Sequence, residues 1–337
     1  MKFLIAGLGS IGRRHLNNLL QLGEQDIVLY RTGQSTLPPP ELEAAGHQFP
    51  VETNLAAALA HQPDAVIISN PTALHLEVAI PAAQAGCHLL MEKPVSHSLA
   101  GISNLYRALQ SGGGQTLVGF QFRYHPGLQK IAELLVAGAI GRPLSVRAHW
   151  GEFLPGWHPW EDYRQGYSAR PELGGGVVLT LCHPLDYLRW LIGEIEAVWA
   201  FTGRTSDLEL MVEDTAEIGL CFKNGVLGTV HLDYNQRPPS HHLEIIGTQG
   251  TIAWKASDGL ASVFQAGSSE WSQYPAPPGF ERNDLFLAQM HHFREVIAGR
   301  SAPRCSLPDG VRALEIALAV LDSQAKGELI RLADPVQ

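Results

Sequence analysis

Two residues far apart in the sequence have side chains that could move a proton to or from a bound substrate. Lys93 lies in Glu92-Lys93-Pro94, directly after an apolar segment, and His183 follows a run of three glycines. A lysine ammonium in a cleft of low dielectric has a lowered pKa and can give up its proton. An imidazole titrates near neutral pH and can accept the proton of a hydroxyl group. Lys93 and His183 are therefore the candidate catalytic residues.

The residues around His183 suggest how its imidazole would be held. After Gly174-Gly175-Gly176, the residues Thr180, His183 and Asp186 recur every three positions, which predicts one helix that carries them on a slowly turning face. Asp186 or Thr180 could then fix the tautomer of His183. On spacing alone a hydrogen-bonded core histidine is the better interpretation, so a catalytic role needs support from the rest of the chain.

An aromatic segment, residues 156–164, precedes those glycines and has a composition that suits a polyol pocket. The faces of Trp and Tyr pack on the C–H faces of sugar rings, while carboxylates and guanidinium groups hydrogen-bond hydroxyls. The alternative is that these aromatic side chains fill a gap between helices and a sheet. Arg123 is a further candidate contact. The candidate substrate contacts are Lys93, Arg123, Trp160, Tyr163, Thr180, His183 and Asp186.

The first strand and the turn after it could position a dinucleotide. Phe3–Ala6 is a short apolar segment typical of a strand buried on both faces, and Gly7–Gly12 follows with G-x-G-x-x-G spacing. The first glycine makes the tight turn, the second lets backbone approach a pyrophosphate, and the third lets the helix pack closely on the strand. The helix start at Ser10 and Ile11 supplies N–H groups and a positive dipole end for phosphate. Because strand, turn and helix come in the required order, the sequence predicts dinucleotide binding.

The end of the second strand bears on which dinucleotide binds. An NAD-binding unit usually has Asp or Glu at this strand end, about 20 residues past the glycines, to hold the ribose 2′-hydroxyl. Asp26 stands at the opposite end of the strand, and Arg31 and Thr32 occupy the expected place. A guanidinium there suits a 2′-phosphate, although Arg31 could also face solvent beside the Pro38-Pro39-Pro40 loop. The sequence therefore favours NADP, with NAD left open.

Strands and helices alternate through the rest of the first domain. We predict a short strand near 48–51, a helix 54–61 capped by Thr53, a strand 65–69, a helix 73–85 capped by Thr72 and a strand 87–91. Such alternation gives a mostly parallel sheet with right-handed crossovers, and ligands bind at the carboxyl ends of its strands. The candidate cofactor contacts at that edge are Gly7, Gly9, Ser10, Ile11, Gly12, Arg31, Thr32, Asn70, Pro71, Thr72, Glu92 and Lys93.

From Leu144 the pattern changes to strand-like segments with glycine-containing turns, such as the hairpin turn predicted at Lys223-Asn224-Gly225. These segments predict a broad sheet in a second domain. We expect two domains, 1–121 and 122–337, and the late helix 309–326 could pack back on the first. The strand-like segments are 144–153, 195–203, 214–222, 225–235, 241–247 and 250–255.

Composition excludes several classes of function. The 337 residues carry a formal charge of −9 and no Lys/Arg cluster, which argues against nucleic acid as a partner. No segment approaches the ~18 apolar residues of a membrane span, and the N-terminal apolar segment is too short for a signal peptide. The four cysteines are far apart, as expected of reduced thiols in a cytoplasmic protein. We expect no metal, because the side chains of His241-His242 and of His291-His292 diverge and no carboxylate completes a ligand set.

The combination of motifs resembles the glucose–fructose oxidoreductase, inositol dehydrogenase and rhizopine-catabolism (Gfo/Idh/MocA) family. The resemblance begins with the glycine turn, Ser69-Asn70-Pro71-Thr72 and His75 one turn later, which adds His75 to the candidate cofactor contacts. It continues through Glu92-Lys93-Pro94, the segment 121–126, Gly174-Gly175-Gly176 and His183-Pro184-Leu185-Asp186. It therefore covers nearly the whole chain.

The resemblance implies an α/β protein with an N-terminal Rossmann domain and a C-terminal α/β domain built on a large open, mainly antiparallel sheet. It implies an NAD(P)-dependent oxidoreductase of sugars, polyols or related cyclic alcohols that forms a homodimer or homotetramer through the C-terminal sheet. Leu179 is a departure, because the family commonly has Asp four residues before the His. Two other functions stay open: a redox-assisted glycosidase and, in view of Leu179, a nucleotide-bound sensor without catalysis.

Overall fold

The chain folds into two compact units, each with its own sheet. The computed structural model describes residues 1–33 and 49–334. The first unit comprises Met1–Phe120, Glu172–Gly174 and Asn283–Val311, and the rest of the described chain from Gln121 onward forms the second. The division after Phe120 lies beside the predicted boundary after residue 121. The late segment grouped with the first unit is Asn283–Val311. The sequence had suggested that the helix 309–326 could pack on the first domain.

The first unit is built on a parallel sheet. Its strands within the described residues are β1 (Phe3–Ala6), β2 (Ile27–Tyr30), β3 (Val51–Glu52), β4 (Ala65–Ile68), β5 (His88–Met91) and β6 (Thr116–Val118). Adjacent strands are parallel in the order β3-β2-β1-β4-β5-β6. Every residue of β1 and β4 is fully buried, as expected of apolar strands covered on both faces. The order reverses between β1 and β4, which is where sheets of this type bind ligands.

Helices follow the strands of this sheet as predicted, but two predicted helix caps are wrong. Asn54 rather than Thr53 caps the second helix, because Asn54 Oδ1 accepts hydrogen bonds from Ala56 N at 2.8 Å and Ala57 N at 3.2 Å. Thr72 caps nothing and instead begins a short 3₁₀ turn, Thr72–Leu74. Residue 48 of the predicted third strand and the Pro38–Pro40 loop lie outside the described residues. The helices are α1 (Ser10–Gln21), α2 (Leu55–Ala60), α3 (His75–Gln84) and α4 (Ile102–Gly112).

The second unit is built on a mixed sheet. Its strands within the described residues are β7 (Pro143–Gly151), β8 (Ile195–Gly203), β9 (Thr215–Phe222), β10 (Leu227–Asp233), β11 (Ser240–Gly247), β12 (Gly250–Lys255), β13 (Ala261–Gln265), β14 (Ser272–Tyr274) and β15 (Ile330–Arg331). Their order is β14-β13-β12-β11-β7-β10-β9-β8-β15. Only β7 and β10 pair in parallel, so the predicted large, mainly antiparallel sheet is confirmed.

The six predicted strand segments of this sheet are all present, whereas β13, β14 and β15 were not predicted. The hairpin between β9 and β10 turns at Lys223-Asn224-Gly225 as predicted: Phe222 N donates to Val226 O at 3.0 Å, and Gly225 has a φ of 83°. The remaining helices are α5 (Pro126–Val136), α6 (Val177–Thr180), α7 (His183–Ile192), α8 (Arg282–Ile297) and α9 (Leu307–Lys326).

Side chains of the mixed sheet alternate between a core face and an open face. On β7, Val146, Ala148 and Trp150 are buried, while Arg147 is exposed and His149 only partly buried on the other face. No disulfide joins the four cysteines, all of which lie in the described chain. Among the helices described, none is long and apolar enough to span a bilayer.

Candidate active site

The glycine turn after β1 is close-packed at two glycines and open at the third. A Cβ on Gly7, which has a φ of 95°, would come within 2.6 Å of Asn70 N, and a Cβ on Gly12 would overlap Gly7 O. Ser69 Oγ donates to Gly7 O at 2.9 Å and so ties the end of β4 to the turn. Among the described residues, no heavy atom lies within 4 Å of the Cβ position of Gly9, and no side chain caps the start of α1 there. The turn therefore presents open backbone at a helix N-terminus, which suits a pyrophosphate.

Arg31 and Thr32 follow β2 at the carboxyl edge of the sheet, where the sequence predicted them. Arg31 N donates to Glu52 O at 2.9 Å, which fixes the backbone there, while the Arg31 side chain is partly buried and Thr32 is exposed. In the described residues that follow β2, no carboxylate takes the place expected for binding a ribose 2′-hydroxyl.

The segment after β4 is held by its own side chains. Asn70 Nδ2 donates to Leu74 O at 3.0 Å, and His75 Nε2 lies 3.0 Å from Asn70 O, where it donates. Burial lowers the pKa of His75, although its hydrogen bond to Asn70 O opposes this, so the ring is neutral at pH 7. Thr72 is buried against the Gly174 backbone, where a Cβ would lie 3.0 Å from Thr72 Cβ. The predicted contacts Asn70, Pro71, Thr72 and His75 therefore form one ordered turn beside the glycine turn.

Glu92 forms a buried pair with His15 at the end of β5. Glu92 Oε1 lies 2.8 Å from His15 Nε2, and the two side chains are only 10% and 1% exposed. Burial alone would raise the pKa of Glu92, but the hydrogen bond from His15 and the charges of His15 and Lys93 hold it below its usual value. The Lys93–Pro94 peptide bond is cis. Glu92, directly before Lys93, is thus anchored by His15. Its predicted contact with a cofactor stays a prediction.

His183 begins α7, so the prediction of one helix through Thr180, His183 and Asp186 is wrong. The short helix α6 ends at Thr180, and α7 starts at His183 with Pro184 in its first turn. Proline has no backbone N–H and suits the first turn of a helix but not its interior, so the helix ends and restarts here. Thr180 is buried at the end of α6, apart from the helix that carries His183 and Asp186.

The side chain of His183 is buried among aromatic rings. The Phe122 ring meets it edge-on with centroids 5.0 Å apart, and Trp150 lies at 5.3 Å. One turn along α7, Asp186 accepts two hydrogen bonds from the guanidinium of Arg123, at 3.0 Å from Nε and 2.7 Å from Nη2. Both members of this ion pair are buried. Arg123 and Asp186, predicted as substrate contacts, therefore bind each other, and this pair fixes the start of α7.

The aromatic segment divides between packed and exposed side chains. Trp157 packs edge-on against Tyr234, with centroids 5.6 Å apart, which matches the gap-filling alternative. Trp160 is 73% exposed. Tyr163 begins a 3₁₀ turn capped by Asp162, and Arg164 forms ion pairs with Asp162 and Glu209. Trp160 and Tyr163 thus remain accessible, as a substrate contact requires.

Two sequence models of one enzyme family match the chain. The model of an oxidoreductase family with an NAD-binding Rossmann fold, Gfo/Idh/MocA, matches residues 1–120, and the model of the Gfo/Idh/MocA C-terminal domain matches residues 128–253. An uncharacterized oxidoreductase of Synechocystis sp., sll0816, is 30% identical over 74% of this chain and 69% of its own length. The chain belongs to the Gfo/Idh/MocA oxidoreductase family.

Other members of the Gfo/Idh/MocA family match over the full length. Myo-inositol 2-dehydrogenase of Thermotoga maritima is 26% identical, with 100% of both chains covered. The structure of levoglucosan dehydrogenase in complex with NADH and levoglucosan superposes with a TM-score of 0.85, covering 98% of this chain and 99% of that chain at 21% identity. The chain is therefore an NAD(P)-dependent dehydrogenase or reductase, and the family model that matches its first 120 residues is that of an NAD-binding Rossmann fold.

Sequence reasoning missed the aromatic cluster that surrounds His183 in this family member. Trp150 stacks on His241, with centroids 4.4 Å apart and ring planes at 1°, and Phe122 meets His241 edge-on at 4.9 Å. Tyr187 Oη lies 3.2 Å from His241 Nε2. Burial lowers the pKa of His241 well below its usual value, so this ring is neutral. The sequence carried no signal for this cluster, because only the pairing of β7 with β11 sets Trp150 opposite His241.

Proposed function

We propose that the chain catalyses reversible hydride transfer between bound NAD(P) and a carbon that carries a secondary hydroxyl or ketone group in a sugar, polyol or related cyclic alcohol. Relatives named as dehydrogenases of myo-inositol and levoglucosan support this class of substrate. The observation that carries the proposal is the position of Lys93: it directly follows Glu92 of the buried His15–Glu92 pair, at the carboxyl edge of the parallel sheet. That edge is where this fold type binds its ligands.

Lys93 is assigned the polarisation of the substrate oxygen, or the relay of its proton. Glu92, the residue before Lys93, is anchored by its hydrogen bond with His15. The backbone of Lys93 is therefore positioned by a buried contact. We expect much of the rate enhancement to come from holding the reacting groups in the correct orientation, because the entropy cost of aligning them is then met on binding and not in the chemical step. Bound NAD(P) supplies or accepts the hydride.

His183 is assigned the role of base that takes the hydroxyl proton during oxidation and returns it during reduction. Its ring is fixed by Phe122 and Trp150, and the Arg123–Asp186 pair fixes the helix start on which it lies. The proposal assigns both Lys93 and His183 to one substrate oxygen. Trp160 and Tyr163 are proposed to contact the substrate ring.

For the cofactor we propose NADP in preference to NAD, because Arg31 and Thr32 follow β2 where an NAD-binding unit usually carries a carboxylate. Replacing Arg31 by Ala should weaken NADP binding about tenfold or more and leave NAD binding nearly unchanged, since one charge-assisted contact is worth about 1.5–3 kcal/mol. Arg107→Ala, which removes an exposed guanidinium from α4, is the matched control. Equal losses for the two cofactors in a fluorescence titration would refute the assignment.

We propose that the open face of the mixed sheet joins two copies of the chain into a homodimer, which could pair again as a tetramer. Trp199, Phe201 and Leu227 on that face are 40%, 66% and 61% exposed, an apolar surface typical of an interface. Phe201→Lys should shift sedimentation toward the monomer, and an unchanged sedimentation coefficient would count against this face.

The buried thiols of Cys87, Cys182 and Cys305 suit a reducing compartment, which supports a cytoplasmic location.

A substrate panel tests the proposed reaction. The wild-type protein, loaded with NADP or NAD, is mixed with sugars, polyols and their glycosides, and the reduced-nicotinamide absorbance is followed together with the products. Net cofactor reduction with conversion of a hydroxyl to a ketone supports the dehydrogenase. Glycosidic cleavage without net reduction would indicate a redox-assisted glycosidase, and cofactor binding without any turnover would indicate a sensor. Neither alternative is favoured by the relatives, which are named as dehydrogenases and reductases.

A further inference from the structure

Three histidines form a row across the open face of the mixed sheet. His149 on β7 pairs with His231 on β10 in parallel register and with His242 on β11 in antiparallel register. The His149 ring stacks on the other two, with centroids 4.6 Å and 4.8 Å apart and ring planes within 15° and 11°. Because neighbouring residues on a strand face opposite ways, this row lies on the other side of the sheet from Trp150 and His241. It is therefore separate from the candidate active site.

Asp233 completes a group of three metal-ligating side chains with two of these histidines. It stands two residues after His231 on β10 and so shares its face. Asp233 Oδ2 lies 2.9 Å from His231 Nε2, and one ligand atom from each of His149, His231 and Asp233 lies within 4.8 Å of the other two. His149 Nε2 lies 2.5 Å from Gln236 Oε1, which brings a fourth possible ligand atom, an amide oxygen, to the group.

The surroundings hold these side chains in place. Asp233 Oδ1 accepts hydrogen bonds from Asn235 N at 2.6 Å and Gln236 N at 2.7 Å, which leaves Oδ2 directed at His231. Glu217 Oε1 lies 2.6 Å from His231 Nδ1, the arrangement in which a carboxylate orients a metal-binding imidazole from behind. Gly151 gives both ligand oxygens room, because a Cβ there would overlap Asp233 Oδ2 and Gln236 Oε1.

We propose that His149, His231 and Asp233 bind one divalent transition-metal ion, with Zn²⁺ as the expected ion and the Gln236 amide oxygen or a water as the fourth ligand. Two imidazole nitrogens and one carboxylate suit zinc and cobalt, whereas magnesium and calcium prefer sites made of oxygen alone. Bonds of about 2.1 Å in a tetrahedral site put ligand atoms about 3.4 Å apart, so small side-chain rotations close the group around an ion. The ion would tie β7 to β10 and contribute to stability, not to hydride transfer.

This site could not be found from the sequence, because His149 lies on β7 whereas His231 and Asp233 lie on β10. The adjacent histidine pairs that the sequence offered have diverging side chains and led to the expectation of no metal. His149 and His231 become neighbours only through the parallel pairing of β7 with β10. Among the described residues, the group also includes an acidic side chain, which neither adjacent histidine pair supplied.

Zn²⁺ titration of the full-length, chelator-treated protein against a chromophoric zinc chelator tests the proposal. We expect one ion per chain and, with Co²⁺, the visible absorption of a tetrahedral site. His149→Ala and Asp233→Asn should each weaken binding more than tenfold, and Glu217→Gln about 10–100-fold. His61→Ala is the matched control, because His61 Nε2 also lies 2.8 Å from a carboxylate, Glu52 Oε1, at a half-exposed position.

The controls separate a specific site from surface binding. Added Zn²⁺ should raise the melting temperature of wild type and of His61→Ala but not of Asp233→Asn, and chelation should leave dehydrogenase turnover unchanged. Circular dichroism checks that each variant folds. If a variant of a metal ligand does not fold, Glu217→Gln, at an exposed position, still tests the proposal. Zn²⁺ binding that is no tighter in wild type than in the His149→Ala/His231→Ala double variant would overturn the proposal, and so would an equal loss in His61→Ala.

Discussion

Gly9 and Gly12 belong to one sequence motif but have different surroundings in the structure. A Cβ on Gly12 would overlap Gly7 O, whereas the Cβ position of Gly9 has no heavy atom within 4 Å. Gly12→Ala should therefore lower the free energy of unfolding by about 1–3 kcal/mol, as overpacking does. Gly9→Ala should change it by less than about 0.5 kcal/mol and still weaken cofactor binding, because the added methyl group blocks close approach of the pyrophosphate.

Urea unfolding and a fluorescence titration of the cofactor, carried out on the same two variants, separate these effects. Tight cofactor binding by Gly9→Ala would show that the pyrophosphate does not contact this part of the turn. The motif predicted close packing at Gly12, and the structure adds that Gly7 is close-packed as well.

The buried His15–Glu92 pair predicts a pH dependence of stability. The folded-state pKa of Glu92 lies below the ordinary value near 4.5, so the ionised carboxylate stabilises the fold fully above about pH 4.5. This stabilisation is lost as the pH falls through the folded-state pKa. Glu92→Gln should lower the free energy of unfolding at pH 7 by about 1–3 kcal/mol and flatten its decline below pH 4.5.

Urea midpoints measured between neutral pH and the acid limit test this prediction. Glu133→Gln, which alters a carboxylate with a side chain 67% exposed, is the control and should follow wild type. A Glu92→Gln profile parallel to wild type at acid pH would contradict the assigned pKa direction.

At the scale of elements, the break between α6 and α7 determines which residues His183 meets. The three-residue spacing predicted a shared helix face, but Pro184 restarts the helix and separates Thr180 on α6 from Asp186 on α7, which binds Arg123. Asp186→Asn or Arg123→Leu should lower the free energy of unfolding by about 3–5 kcal/mol, because each leaves a buried charge unpaired. The double variant Arg123→Met/Asp186→Leu should lose less than the sum of the two.

Denaturant unfolding of the four proteins gives this comparison. Arg300→Ala, which removes an exposed partner of Glu295, should cost at most about 1 kcal/mol. Losses near that value for Asp186→Asn would mean that the Arg123–Asp186 pair does not hold the start of α7.

Elements with a clear local pattern were predictable, and elements that depend on distant partners were not. The strands β1, β2, β4 and β5 are apolar segments whose burial needs only a covered parallel sheet, and β9 and β10 join at an Asn-Gly turn. The short strands β13, β14 and β15 carry no such pattern, because β13 and β14 are fixed by pairing next to β12 and β15 by pairing with β8.

At the scale of the whole molecule, strand register brings together residues that the sequence could not relate. Parallel pairing of β7 with β10 and antiparallel pairing of β7 with β11 set His149 beside His231 on one face and Trp150 beside His241 on the other. The sequence predicted the strands but not their order in the sheet. The candidate site residues at strand ends of the first unit were predictable, because the carboxyl ends of parallel strands share an edge.

The central claim is that Lys93 and His183 serve one proton transfer during hydride transfer. The most direct measurement is kcat of Lys93→Met, of His183→Gln and of the double variant on the substrate found in the panel, with cofactor affinity measured in parallel. Each single variant should lose about 10²–10⁴-fold in kcat with cofactor bound as in wild type, and the double variant should lose little more than either single one. Lys130→Met, at a partly exposed position on α5, should match wild type. Near wild-type kcat in either single variant, or losses that simply multiply in the double, would contradict the account.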